Sequence, residues 1–333
     1  MNHKNHDILF KKTLQQKENA IDYLQNELPE NILKELELSS LEIAKDSFID
    51  QADNDIHSDI LFKVMFRGKP GYIYLLLEHK SYPDRFTAFQ LLKYMVGIWD
   101  LHLKQSKGEK LMLPIILPMV LYHGETEWKF GKDFLSIQEK VEVLEKYQVN
   151  FSYILQDLSK QKDEDIKGEI INRIFLLLFK YIHSDNIEEK FLSILDLLVE
   201  LEGKQTGLEY IEIVIRYLFN SSEKISIDKV KTMIEDTRSR RIKNIMPTIA
   251  DTLRKEGYER GLRESRFLID KAESEKQKAE AEKQKAEHKT KLRTAILMRK
   301  KGSEINFIAE VTELDRMFLN KLFQKIGFLN DSV

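Results

Sequence analysis

The order of apolar and polar positions divides the chain into a first part of mixed period and a second part of helical period. Asp59-Ile60-Leu61-Phe62-Lys63-Val64-Met65-Phe66 and Tyr72-Ile73-Tyr74-Leu75-Leu76-Leu77-Glu78-His79-Lys80 alternate with period two. Both are rich in β-branched and aromatic residues and lack internal Gly or Pro, which predicts two strands. Arg67-Gly68-Lys69-Pro70-Gly71 between them predicts a hairpin turn. A four-residue loop over 68–71 sets Asp59 opposite Lys80 and Leu61 opposite Glu78. Upstream, Ile8, Phe10, Leu14, Ala20, Ile21, Leu24 and Leu28 followed by Pro29 predict one amphipathic helix over residues 7 to about 27. Residues 31–45 read as a second short helix and 47–51 as a short strand. Downstream, a helix from about Arg85 to Lys104 presents Phe89, Leu92, Val96, Trp99 and Leu103 as its apolar face. Leu113 to Tyr122 reads as a strand that Pro114 and Pro118 restrict to an edge, a bulge or its second half. Val149 to Leu155 is one more candidate strand.

From about 156 to 255 the period is helical throughout, with core-facing stripes such as Ile170-Ile171-x-x-Ile174-Phe175 and Phe191-Leu192-x-Ile194-Leu195. No catalytic constellation appears there, so this stretch reads as a helical partner domain. Residues 271–292 repeat every seven, with Lys-Ala-Glu at 271–273, 278–280 and 285–287. Such a segment forms a charged helix of roughly 30 Å. Alanine as the only apolar heptad residue buries little, which leaves a solvated spacer and a weak dimerising coil as its two readings. The final segment, 294–333, has a tri-helical pattern with Ser303 as an N-cap. Ile305-x-x-Ile308-Ala309-x-x-Thr312-x-Leu314 is helix-turn-helix-like; a cap that only packs is the other reading. If the segment binds DNA, Arg293, Arg299, Lys300 and Lys301 are its phosphate contacts.

Composition narrows the class. The 333 residues are 42% hydrophobic and 32% charged, enough for two or three domains with a sizeable core. There is no cysteine, which excludes disulfides and thiolate zinc sites. The eight histidines form no His-x-x-x-His pair. The N-terminus lacks the apolar stretch of a signal peptide, and the longest apolar run is too short to span a bilayer, so a cytoplasmic protein without a membrane partner is expected. A formal net charge of −2 gives no global attraction to nucleic acid, so any DNA contact must use local basic patches or a metal.

The candidate chemistry lies on the hairpin. With the predicted register, Glu78 and Lys80 share a face with Asp59, which falls diagonal to Glu78 at roughly 7–8 Å. Two carboxylates and an ammonium at one end of an apolar hairpin are what a divalent metal and an attacking water require, and Mg²⁺ compensates carboxylates beside apolar neighbours. The bland alternative is a strand end with a solvated Glu-Lys pair and a capping Asp.

These strands, the helix after them and the next strand resemble the recombination-promoting nuclease (Rpn) or transposase-like family, within the PD-(D/E)XK nuclease superfamily. The resemblance rests on several strings: His6-Asp7-x-x-Phe10-Lys11, Ser58-Asp59-Ile60-Leu61-Phe62-Lys63 and Tyr74-x-Leu76-Leu77-Glu78-His79-Lys80-Ser81. It continues with Gln90-Leu91-Leu92-Lys93-Tyr94-Met95 and Leu113-Pro114-x-x-x-Pro118-x-Val120-Leu121-Tyr122-His123-Gly124, as far as Trp128. It covers about residues 6–130 well and extends loosely to Lys255-Glu256-Gly257-Tyr258-Glu259-Arg260-Gly261. It implies an α/β (α+β) restriction-endonuclease-like core, a mixed sheet flanked by helices, over 1–155. A helical domain over 156–262, the charged heptad-like helix over 263–293 and the small helical segment over 294–333 complete the chain. It further implies Mg²⁺, with Mn²⁺ as a substitute, held by Asp59, Glu78 and the His79 carbonyl. Lys80 would act on the attacking water, and Gln90 and Tyr94, at i,i+4, would orient the metal site and the DNA strand. Many relatives carry glutamine at the Lys80 position, so Lys80 is a departure, toward the commoner superfamily choice. The first-helix acid is Asp7 or Glu18. The implied activity is Mg²⁺-dependent endonucleolytic cleavage of double-stranded DNA in recombination or mobile-element biology. The helical region or charged helix is where a homodimer would form. The alternative is a catalytically inactive DNA-binding or assembly protein of mobile-element origin.

Overall fold

The structure is a computed structural model that describes residues 3–44, 59–78, 82–105, 112–201, 207–222, 224–236 and 239–327. The expected strand at 47–51 lies outside these residues, as do His79, Lys80 and Ser81. Two compact units divide the chain, Met1–Leu253 and Arg254–Val333. Among the described residues no helix is long and apolar enough to cross a membrane.

The first unit opens with α1 (His3–Leu14) and α2 (Lys17–Glu27) rather than one continuous helix. The buried stripes explain the break: Leu9, Phe10, Thr13 and Leu14 end at a point where Lys17 and Glu18 replace the apolar residues a continued stripe needs. Asn19 Nδ2 donates to the Thr13 carbonyl at 3.1 Å, satisfying an acceptor that the end of α1 leaves open. A single turn, α3 (Glu30–Leu33), leads into β1 (Leu36–Ile43), where a helix was expected. The misreading has a physical cause. Leu36 and Leu38 keep one phase of a period-two alternation and Leu41 and Ile43 the other, because the register between Glu37 and Glu42 is shifted by a bulge that hides the strand pattern. Ser40 closes it, donating to the Glu37 carbonyl and accepting from the Met65 amide.

β2 (Asp59–Phe66) and β3 (Lys69–Glu78) form the predicted hairpin with a tighter turn. Arg67 and Gly68 alone make the loop, at φ of 47° and 73°, the two positive values of a type I′ turn. Pro70 and Gly71 belong to β3, and Gly71 is required there, because a Cβ would lie 2.7 Å from the Phe66 ring and 2.8 Å from the Ile115 carbonyl. The register therefore places Asp59 opposite Leu76, four residues from the expected pairing with Lys80.

α4 (Thr87–Gln105) crosses over to β4 (Ile115–Tyr122), which runs parallel to β3, and β5 (Ile154–Asp157) runs parallel to β4. The result is a five-stranded mixed sheet in the order β1-β2-β3-β4-β5. Pro118 is tolerated because β5 pairs with β4 only from Met119 onward. α4 buries Thr87, Ala88, Leu91, Met95 and Ile98, not the expected stripe, and Phe89, Val96 and Leu103 are exposed. The helix is apolar on two sides, and the small Thr87 and Ala88 permit the closer approach.

One face of the sheet (Ile60, Phe62, Val64, Ile73, Leu75, Leu77, Met119, Leu121) shares a core with α1, α2 and the later helices α5 (Ile170–Tyr181), α6 (Ile187–Leu201), α7 (Gly207–Ser221) and α8 (Ile227–Glu235). The other face (Leu61, Tyr74, Leu76, Val120, Tyr122) packs on α4, Trp128, Phe134 and Tyr153.

α9 (Arg240–Lys300) supplies its first turns to this unit and its remainder to the second, where residues 271–292 are helical throughout. It ends in a Schellman closure: Gly302 adopts φ 85°, its amide donates to Arg299, and the Ser303 amide donates to Met298. Ser303 is thus used by the end of α9, and α10 (Ile305–Thr312) starts after Glu304 rather than with Ser303 as its cap. α11 (Arg316–Lys325) begins at Asp315, whose side chain accepts from the Phe318 amide. Ala295, Ile308, Leu314, Leu319 and Phe323 form the core of this small bundle.

Candidate active site

At the end where β3, β4 and β5 stop, four residues on the α4-facing side line up across the sheet. Glu78 pairs with Tyr122 and Tyr122 with Asp157, while Asp59, opposite Leu76, joins the same face from β2. Asp59 and Glu78 are each only 4% exposed. Asp157 is engaged locally, accepting from the Trp128 and Ser159 amides and the Ser159 hydroxyl, so its role is to shape the loops after β4 and β5.

Burial pushes the Asp59 carboxyl up to about 6, against a lowering hydrogen bond from Tyr74. The Tyr74 hydroxyl donates to Asp59 Oδ2 at 2.7 Å. Lys11 lowers and Asp7 raises the same carboxyl, so α1 brings both charges up to Asp59. Asp7 and Lys11 are themselves paired at 3.3 Å, one turn apart. Glu18, the other first-helix acid considered, is exposed on α2. Tyr94 of α4 stacks on Tyr74, ring centroids 5.1 Å apart, and reaches Asp59 through it; Gln90 is half-buried one turn earlier. The His123 amide donates to the Glu78 carbonyl at 3.3 Å, which ties the β4 end to the β3 end.

The structure thus brings Asp59 and Glu78 onto one buried face and connects Tyr94 to it. His79 and Lys80 lie outside the described residues. Tyr74 and Lys11 received no role in the sequence reading. Tyr74 was legible, since period two places it on the Glu78 face; the approach of Lys11 depends on the packing of α1. Among the described residues no three His, Asp or Glu side chains are arranged to hold a metal ion. The donor set on the face is two buried carboxylates, hard oxygen ligands that fit a divalent cation completing its shell with water.

Comparison with known proteins agrees with the resemblance read from the sequence. The chain is 37% identical over 119 residues to recombination-promoting nuclease RpnD of Escherichia coli O157:H7, covering 36% of this chain and 45% of that protein. It is 28% identical over 209 residues to recombination-promoting nuclease RpnC of Escherichia coli K12, covering 62% and 67%. It is 25% identical over 310 residues to the inactive recombination-promoting nuclease-like protein RpnE of the same strain, covering 93% and 94%. The match to RpnD therefore spans less than half of that relative's length. No solved structure matches the chain. At family level these relatives are of nuclease type. The chain belongs to the family described as "Putative transposase, YhgA-like", whose profile matches residues 4–209.

Proposed function

We propose that the chain is a Mg²⁺-dependent endonuclease acting on double-stranded DNA, of the recombination-promoting type, with Mn²⁺ as an alternative metal. The observation that carries this reading is the pair Asp59 and Glu78. Both are buried on one face where the parallel strands end, and burial pushes Asp59 up to about 6. A fold selected for stability alone gains nothing from two buried acids on one face.

Asp59 and Glu78 would hold the cation, joined by the His79 carbonyl that the family resemblance adds. Bound Mg²⁺ supplies Lewis acidity toward the phosphodiester and acidifies water. Tyr74 orients Asp59 and favours its ionised form by donating a hydrogen bond. Lys11 offsets part of the site's negative charge, and Lys80 would position or deprotonate the attacking water. Tyr94, through Tyr74, and Gln90 would support the site from α4. Strand ends that gather ligands at one sheet edge are a common arrangement in α/β proteins.

A second reading is a non-catalytic DNA-binding or assembly protein, favoured by one observation: the relative aligned over 93% of this chain is described as inactive. Nicking of supercoiled plasmid with Mg²⁺, Mn²⁺ or EDTA separates the two. Wild type should nick only with metal, and Asp59→Ala and Glu78→Ala should lose nicking while still folding cooperatively. Equal nicking by all three proteins, or no calorimetric metal binding by wild type, would support the second reading.

A further inference from the structure

α1 carries Asp7 and Lys11 to the acidic face, and two buried hydrogen bonds join it to α7. His6 Nδ1 and Tyr217 Oη lie 2.9 Å apart, and Thr13 Oγ1 and Tyr210 Oη 2.8 Å apart. All four residues are buried. The rungs are seven residues apart on both helices, two turns on facing stripes of an antiparallel pair. Asn5 Nδ2 adds a bond to the Asn220 carbonyl at 2.8 Å. Asp7 and Lys11 fall between the two rungs.

Apolar packing could hold α1 against α7 equally well, but it is non-directional. Paired buried hydroxyls and an imidazole add little net stability and leave a penalty if misaligned. What they fix is the axial register and rotation of α1, hence where Asp7 and Lys11 point. Burial raises both phenols far above their ordinary values, so each stays a neutral hydroxyl. The His6 rung also reaches the end of β3 at the Glu78 main chain. The His6 ring packs 5.0 Å from that of His123, whose amide donates to the Glu78 carbonyl.

We propose that Tyr217 and Tyr210 are positioning residues for the metal-dependent cleavage, holding Asp7 and Lys11 at Asp59 through His6 and Thr13. This rests on the nuclease reading above. The helical region, which has no catalytic constellation of its own, then forms part of the scaffold of the site.

The test is the double variant Tyr217→Phe/Tyr210→Phe, which keeps both rings and removes both hydroxyls. Tyr23→Phe is the matched control: Tyr23 is also buried and donates to Gln156 Oε1 of β5 at 2.6 Å, a bond with no partner on α1. Melting temperature, half-saturating Mg²⁺ for plasmid nicking and the pH profile of nicking are measured for each. The double variant should need at least about tenfold more Mg²⁺ and show a displaced acidic limb. Tyr23→Phe should lower the melting temperature similarly and leave both parameters at wild-type values. If wild type nicks and the double variant differs from it no more than Tyr23→Phe does, the positioning role is overturned and the nuclease reading stands. If wild type shows no metal-dependent nicking, both are overturned.

Discussion

Tyr74 and Asp59 are diagonal neighbours on the hairpin, joined by a 2.7 Å hydrogen bond from phenol to carboxylate. Glu78 is the diagonal neighbour on the other side, with Leu76 directly opposite Asp59. Asp59 is thus set between a donor that favours its charge and an acid that shares its need for a cation.

Stability should depend on pH through Asp59. Its carboxyl is raised to about 6 in the folded state, from about 3.9 in an unfolded chain. The tighter proton stabilises the fold fully below about pH 4, and that contribution, about 3 kcal/mol, is lost as pH rises through about 6. In metal-free protein, Asp59→Asn should therefore gain stability relative to wild type across this window and hold a constant advantage above it. Melting temperatures of the two proteins between about pH 4 and 8 check this; a pH-independent difference contradicts it.

Tyr74→Phe removes the hydroxyl and keeps the ring against Tyr94. Asp59 then protonates more readily, so the acidic limb of metal-dependent nicking should move upward by roughly one pH unit, and the metal-free protein should lose about 1 kcal/mol of stability at neutral pH. An unmoved limb would show that the hydrogen bond does not govern Asp59.

Two glycines near the turn should fail for different reasons. Gly71→Ala forces a methyl against the Phe66 ring and the Ile115 carbonyl, and should cost about 2 kcal/mol. Gly68→Ala meets no atom within 4 Å but must hold φ 73°, and should cost about 1 kcal/mol. Denaturant titrations of the two variants rank them.

The second unit rests on a five-residue core. Phe323→Ala should cost about 3–5 kcal/mol, melting the α10–α11 bundle while leaving the transition of the sheet-containing unit in place. Circular dichroism and calorimetry resolve whether the unit melts alone.

Removing residues 271–333 should leave metal-dependent nicking intact, and a fall in mass from dimer to monomer in light scattering would assign the tail to self-association. An unchanged mass with weaker, salt-dependent DNA binding would instead assign the tail to phosphate contacts.

How far the sequence discloses the site follows from parity. The expected and observed hairpin registers differ by four residues, and an even shift keeps every side chain on its face, so the shared face of Asp59 and Glu78 was legible although the loop was not. Four turn-forming residues in a row concealed a two-residue turn whose first member, Arg67, tolerates positive φ. The inner face of α4 was ambiguous because Leu91, Met95 and Ile98 compete with Phe89, Val96 and Leu103. The tyrosine rungs were not legible at all: their partners are 197 and 211 residues apart, and nothing local marks a hydroxyl as paired.

Pro118 has a consequence for how this protein behaves when crowded. The first half of β4 is paired on one side only, and Ile115 there, with the neighbouring Met112 and Leu113, is exposed and apolar. Such an edge would ordinarily recruit a strand from another molecule and seed aggregation. Pro118 in that half and Pro114 just before it have no amide N–H to offer an incoming strand. The residue beyond which β5 pairs thus also withholds a donor from any strand arriving at this edge, so Pro118→Val is the substitution expected to lower solubility before it lowers stability.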